Sequence, residues 1–462
     1  MEAASVGTRS FPAMKRENWL ERLAEEPVAS ARLHYEVDAS GLQLRAGGAA
    51  QWKILQRVDD PDPARANAQA LTDLANGADG LALVFEGAPN AFGYGLPATP
   101  EALRTAVRDV AIDKVHLRID VHPASRASVD WMETIFHNWP NVDPARLSLS
   151  FGVDPGAVFA GTGRLRMSIE ALQASMPQSL AHFFSVGAPA VFLEADGRVV
   201  HNAGATDAQE LGIIIASAVG HLRMFEEARQ PLVYAAPHIG FALAAGQDPL
   251  STIVKIRALR MLWAAVEQQS ALPPVPANIH AETSFRMMSR RDPETNLTRN
   301  TLAAAAAIAG GANSVSVLPH TMPLGLPEGA ARRIALATQT VMKREVQLRP
   351  ISNPTPTPDL QNHLIASLCE TAWEEFRRIE NEGGILHSLV DGRLQERVLQ
   401  ARQARIEAVR GGHNVIVGAT VFEPPLPVSQ PTLDAPVKPL PDDGTVFCEK
   451  LSPRRLEEDV MG

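Results

Sequence analysis

Three histidines, His201, His280 and His320, stand where a chemical role could be expected of them. Imidazole titrates near neutral pH and serves as acid, base or hydrogen-bond donor. His201 lies in ADGRVVHNAGATDAQELG, just ahead of Thr206 and Gln209. Their T-x-x-Q spacing reads as a capping box that opens a long helix to about Glu227. Asn202 and Gly204 would equally shape a plain turn, with His201 a packed or solvated loop residue, and that plainer reading is favoured. His280 ends the run PANIH and His320 ends SVLPH. Strand-end histidines often carry no task, and no carboxylate stands at metal-ligand spacing to either, so no metal site is expected. Tyr94, between Gly93 and Gly95, could aim a ring over the same end. Arg286, Arg290 and Arg291 gather before a helix start, where they would hold a phosphate or carboxylate, or form rim ion pairs with Asp292 and Glu294. Asp120-Val121-His122 has the look of a ligand pair but reads more simply as the polar end of a strand. No P-loop, dinucleotide fingerprint, GxSxG elbow or HExxH helix occurs.

The elements that must position these residues are written most clearly in RMMSRRDPETNLTRNTLAAAAAIAGGANSVSVLPH, residues 286 to 320. Asp292 is a good N-cap, Pro293 suits the first helical position, and the Ala-rich run stops at Gly310-Gly311. Ser314 to Leu318 then reads as a short buried strand. Seven further β-like runs make eight in all: 80–86, 114–121, 146–153, 189–196, 238–244, 276–283, 313–320 and 414–421. Helical stretches separate them, which favours a (β/α)8 barrel over an open doubly wound sheet. Active groups of such barrels sit at the C-terminal ends of the strands. Residues 1–55 read as an N-terminal arm with a short helix near Glu17 to Glu25, 56–422 as the barrel, and 423–462 as a proline-rich tail, extended against a partner or disordered. Leu364, Ile365, Leu368, Ala372, Trp373, Phe376 and Ile379 form one apolar helical stripe, followed by an Arg-rich helix to about Arg410.

Composition narrows the function classes. The 462 residues carry 43 basic and 52 acidic side chains, a net charge of −9, which argues against nucleic acid or an anionic membrane as the main partner. Two cysteines make neither a disulfide framework nor a metal cluster. The N-terminus has no apolar signal core and no long apolar window follows, so a cytoplasmic protein is expected.

Several long pieces, FPAMKRENW, QRVDDPDPARANAQALTDLANGADGLALVF, HNAGATDAQELG, STIVKIRALRMLWA and the 286–320 segment, resemble the methylmalonyl-CoA mutase family across roughly residues 11 to 422. Their wording is that of its small, or beta, subunits. The resemblance implies a TIM barrel through which catalytic members thread the acyl-CoA, and an arm that embraces the other subunit. It also implies a Tyr-His pair four to five residues before the AGAT turn, the histidine bonding the thioester. Counting back from Ala203, Arg198 and Val199 hold those places. Valine can neither donate nor titrate, and loss of such a donor costs on the order of 10²–10³ in rate. A substrate-contacting glutamine of the family corresponds to Gly152, while His280 matches a family histidine. The family's cobalamin domain, with its DxHxxG loop, has no counterpart, since Pro123-Ala124-Ser125 follows Asp120-Val121-His122.

The expectation is a non-catalytic small subunit, inactive alone, holding no metal or cofactor of its own. A large catalytic partner in a heterodimer would carry adenosylcobalamin and convert methylmalonyl-CoA to succinyl-CoA. Tyr94, His201, His280 and His320 are the pocket residues to inspect, and acyl-CoA the small molecule to consider. Two alternatives stay open. One is a catalytic barrel served by a separate cobalamin-binding subunit, with His201 or His280 as its acid. The other is an acyl-CoA-binding or scaffold module without chemistry.

Overall fold

A computed structural model describes residues 52–138, 143–185, 187–350, 358–425 and 428–461. The expected arm as far as residue 51, with its helix near Glu17, lies outside the described residues. Eight parallel strands close into one barrel: β1 Lys53–Val58, β2 Gly80–Leu83, β3 His116–Ile119, β4 Ser148–Val153, β5 Ala190–Asp196, β6 Ile239–Ala245, β7 Asn278–Thr283 and β8 Ser314–Ser316. Each pairs with the next, and β8 pairs back onto β1 with Ser316 opposite Leu55. That last pairing makes the fold a (β/α)8 barrel and removes the open-sheet alternative.

The count of eight is right, but one member differs. KILQRV is the first strand, although Lys53, Gln56 and Arg57 give it the look of a polar entry. Every other expected strand therefore moves up one place, and Asp120 directly follows the third strand rather than ending the second. The stretch 414–421 is no barrel strand: it is a turn held by a Val417–Val421 bridge, with Ile416 and Ala419 packed on Val409.

The helices most relevant to the site are α1 Pro63–Ala75, α2 Pro100–Ala106, α3 Ser125–His137, α4 Pro155–Thr162, α5 Ile169–Ser185, α6 Arg198–Ala203, α7 Asp207–Glu227, α8 Pro249–Gln269, α9 Thr295–Gly310, α10 Gly329–Arg344, α11 Pro358–Asn381, α12 Arg393–Arg410 and α13 Leu456–Met461. Thr206 caps α7 with both bonds of the expected box, Thr206 N–H to Gln209 Oε1 at 2.9 Å and Gln209 N–H to Thr206 Oγ1 at 3.2 Å. In α9 the Ala run is largely buried against α8, and Gly311 ends the helix at φ +93°, a left-handed conformation that favours glycine. The helix proper starts at Thr295, not at Pro293, because Pro293 and Glu294 form a turn. Asp292 still caps it in effect, its carboxylate accepting the Thr295 N–H.

Helix α11 lies outside the ring, across α7 and α8. Its predicted stripe places Ile365, Trp373, Phe376 and Ile379 in the core, and Trp373 meets Phe376 edge to face. Each such side chain contributes about 1.5–3 kcal/mol on burial. The approach is close: a Cβ on Gly212 of α7 would stand 2.7 Å from the Ala372 carbonyl oxygen.

The proline-rich segment is ordered around its own barrel. Thr432–Leu433 pairs antiparallel with Leu326–Pro327, and Lys438 N–H donates to the Gly93 carbonyl. Val446–Phe447 pairs with Arg164–Leu165, Leu451 is buried, and Arg454 N–H donates to Asn202 O. Finally the Glu457 carboxylate on α13 accepts the backbone N–H groups of Arg290 and Arg291. These partners belong to loops and helices that follow β2, β4, β5, β7 and β8, so the segment straps the C-terminal mouth. No helix of the described residues is long and apolar enough to cross a membrane.

Candidate functional site

The C-terminal mouth is where chemistry would be sought, and its centre is filled. Small residues on several strands, Ala82, Ser150, Ala242, Ser314 and Ser316 among them, leave room for long charged side chains on the others. At the N-terminal end, Lys53 donates to Ser148 Oγ, which also lies 2.9 Å from His116 Nδ1. Higher up, Arg118 forks onto both Glu194 oxygens and reaches Asp120 Oδ1 at 3.0 Å. Above it Arg198 contacts Asp120, donates to both Asp196 oxygens at 3.0 and 2.6 Å, and stands 3.3 Å from Glu282. Arg57 completes the ring, 3.4 Å from Glu282, 2.7 Å from Asp59, and donating to the Asn90 carbonyl.

Arg57, Arg118, Arg198 and the five carboxylates they bind are each at most 3% exposed. Burial opposes ionisation of Asp120, but Arg198 and Arg118 outweigh it and hold that carboxyl well below the usual range. Burial wins at Glu194 and Glu282, whose carboxyls are pushed up. The surrounding acids hold the Arg198 guanidinium charged despite its burial. Charges packed at this density repay their desolvation only through one another.

An apolar layer covers the network. Phe92 stacks on Phe285 with ring centroids 4.1 Å apart, and the Arg57 guanidinium lies 5.1 Å from the Phe92 ring centroid. Met287, Met288, Leu318 and Met322 join them. Phe92 holds φ +53°, a conformation that costs a non-glycine residue on the order of 1 kcal/mol or more.

The expected site residues do not gather. Tyr94 is buried in the loop after β2. His201 is packed rather than solvated and lies on α6 rather than in a loop, fully engaged: Nδ1 is 2.9 Å from Glu210 Oε2 and Nε2 is 2.9 Å from Ser284 Oγ. Lys255 donates to Glu210 at 2.8 Å and to Asp207 at 3.0 Å in the same cluster. Burial pushes the His201 imidazole far down, and Arg286 and Lys255 add to the shift. A neutral ring then donates from Nδ1 and accepts at Nε2, with neither nitrogen free for a substrate.

His280 faces the barrel interior, its Nδ1 2.9 Å from Ser314 Oγ, and burial beside Arg118 and Arg198 lowers its pKa. His320 is buried at the rim, where its carbonyl accepts from Asn296. No hydrogen bond joins these four residues to one another among the described residues. The arginines also differ from expectation. Arg286 donates to the carbonyls of His201 and Ala205, Arg291 pairs with Glu423 at 3.4 Å, and Asp292 and Glu294 form no ion pair with the three among the described residues.

Residues 41–437 match the family described as methylmalonyl-CoA mutase. The chain belongs to the methylmalonyl-CoA mutase family. It is 33% identical over 395 residues to a methylmalonyl-CoA mutase small subunit of Streptomyces virginiae, covering 85% of this chain and 62% of that protein. A probable small subunit of Mycobacterium tuberculosis (strain ATCC 25618 / H37Rv) is 38% identical over 252 residues, 52% of this chain and 40% of that protein. The mitochondrial mutase of Bos taurus is 28% identical over 238 residues, 50% and 31% of the two chains. The chain thus spans no more than about three fifths of these relatives' own lengths.

Within this mutase-family barrel the positions expected to depart from the family, Arg198, Val199 and Gly152, are all buried. Arg198 is the hub of the ion network, and Val199 is buried apolar packing. Gly152 sits where β4 shifts register against β5, and a Cβ there would lie 2.4 Å from Val121 N. No side chain of any kind fits that place. The strap and the Phe92–Phe285 layer cover the mouth, and His201, His280 and His320 are buried.

The residues missed from sequence, Arg57, Arg118, Glu194, Asp196 and Glu282, carry one signal together with Asp120, which reads from sequence only as the polar end of a strand. Charges recur two residues apart in apolar strands (Arg118/Asp120, Glu194/Asp196), which points them all to one face.

The buried histidines set a pH dependence. Burial lowers His116 and His122 each to about 3. Between that value and the unfolded value near 6.5, the unfolded chain binds more protons than the folded one. Stability is therefore expected to fall as pH drops from 6.5 towards 3, read as a falling urea midpoint. His122→Phe should flatten that decline, because its ring already packs on Phe85. An unchanged slope would contradict the assignment.

Proposed function

We propose that this chain is a non-catalytic small subunit of an adenosylcobalamin-dependent mutase acting on methylmalonyl-CoA. In this reading a large partner chain holds the cofactor and performs the rearrangement, and this barrel stabilises and positions that partner. The observation that carries it is the filled barrel: Arg57, Arg118 and Arg198 with five carboxylates occupy the axis along which catalytic relatives would thread an acyl-CoA. The small-subunit relatives support the same reading.

The engagement of both His201 ring nitrogens, and the burial of His280 beneath the network, count against a catalytic barrel served by a separate cobalamin subunit. The same packing counts against an acyl-CoA-binding module. Calorimetric titration of the purified chain with CoA and methylmalonyl-CoA tests the reading. No saturable heat is expected, and stoichiometric binding lost in a mouth variant such as Phe285→Asp would overturn it.

A further inference from the structure

Two clusters of described residues bring three ligand-type atoms within 4.8 Å of one another: His201, Asp207 and Glu210, and Asp130, Glu133 and His182. In the first, the place of a cation is taken by the Lys255 ammonium. The second has no such occupant. Asp130 and Glu133 stand one turn apart on α3, so their side chains share a face. His182 faces them from α5, its Nε2 2.9 Å from Asp130 Oδ1 and 3.4 Å from Glu133 Oε2. Two carboxylates converge on one imidazole, and no lysine or arginine forms an ion pair with either among the described residues. Arg126, one turn earlier on α3, instead donates to the Ser175 and Ser179 hydroxyls of α5 and so fixes the register of the two helices.

We propose that Asp130, Glu133 and His182 form a divalent-metal site of the zinc class, tying α3 to α5 on the outer wall of the barrel. The ligand set is one imidazole and two carboxylates, the hard-to-borderline donors that Zn²⁺ and Co²⁺ accept. At zinc–ligand distances of about 2.0–2.1 Å, neighbouring ligands of a tetrahedron lie about 3.3 Å apart. The histidine–glutamate separation already matches, and the histidine–aspartate one needs to open by a few tenths of an ångström. The imidazole must carry its proton on Nδ1, leaving the Nε2 lone pair for the metal. All three side chains are partly exposed, so a metal reaches them from solvent and a fourth position stays open to water or to a ligand from another molecule.

Titrating the full chain with Zn²⁺ by calorimetry, and with Co²⁺ by visible absorption, tests this. The expected result is one saturable equivalent, Co²⁺ bands of four-coordinate intensity, and a melting midpoint that rises with metal. His182→Ala and Glu133→Gln should each weaken binding about tenfold or more, without altering the metal-free melting curve. His137→Ala, an exposed histidine one turn further along α3, should leave binding unchanged and so separates this site from adventitious histidine contacts. No saturable binding, or binding of equal strength in His182→Ala, would overturn the proposal.

Discussion

Arg198→Met should destabilise the chain by about 3–5 kcal/mol, the cost of breaking a buried ion network by removing one side of it. Arg198 is 1% exposed and lies between Asp120, Asp196 and Glu282. Methionine fills a similar volume, so cavity formation contributes little and the loss is electrostatic. Three carboxylates would lose a shared cation, with Arg118 and Arg57 left to serve them at the distances already described. Arg198→Lys keeps the charge but not the planar fork, and should recover part of the loss. Equilibrium urea unfolding of the three proteins measures this. If the methionine variant were as stable as the parent, the network would be ornamental and the barrel free to hold something else.

Lys255→Met should have the second largest effect, again about 3–5 kcal/mol at pH 7. Lys255 is 1% exposed and is the ammonium shared by Asp207 and Glu210. Glu210 is wholly buried, and besides Lys255 its oxygens accept from the Ala244 N–H and from His201. Without the lysine, His201 loses a cationic neighbour and faces two uncompensated carboxylates, so it binds a proton in the folded state more readily than in the parent. The deficit relative to the parent should therefore shrink as pH falls from 7 to 5. Melting curves across that range check it, and a deficit that grows on acidification would contradict the assigned cluster.

Much of the frame was legible because it depends on local chemistry. The T-x-x-Q box before α7, the Ala run closed by Gly311 and the stripe from Leu364 to Ile379 are local patterns, and each formed the expected element. Strand–helix alternation favoured the barrel class over an open sheet, and the family resemblance implied the same fold. What failed depended on what lies opposite in space. KILQRV was hidden because a strand whose inner face is Arg57 does not read as buried, and part of what compensates that burial, Glu282, lies 225 residues away. The tail was read as extended, against a partner or disordered, because proline-rich chain announces no partner. Its contacts are two-residue strand pairings with 326–327 and 164–165, backbone bonds to Gly93 and Asn202, and the Glu457 carboxylate on Arg290 and Arg291, none of which a periodicity encodes.

At the site the sequence drew attention to histidines, and the decisive residue was an arginine. Arg198 was legible as a departure from a Tyr-His pair, and so was the loss of a donor at Val199. That Arg198 is a structural hub was not legible, because its partners lie on or just after three different strands.

The most direct test is a turnover assay. The purified chain is supplied with adenosylcobalamin and methylmalonyl-CoA, first alone and then with a candidate large mutase subunit. A filled, strapped barrel should give no succinyl-CoA above background alone, and turnover only when the large subunit is added. Succinyl-CoA formation by this chain alone, abolished by His201→Ala or His280→Ala, would contradict the account.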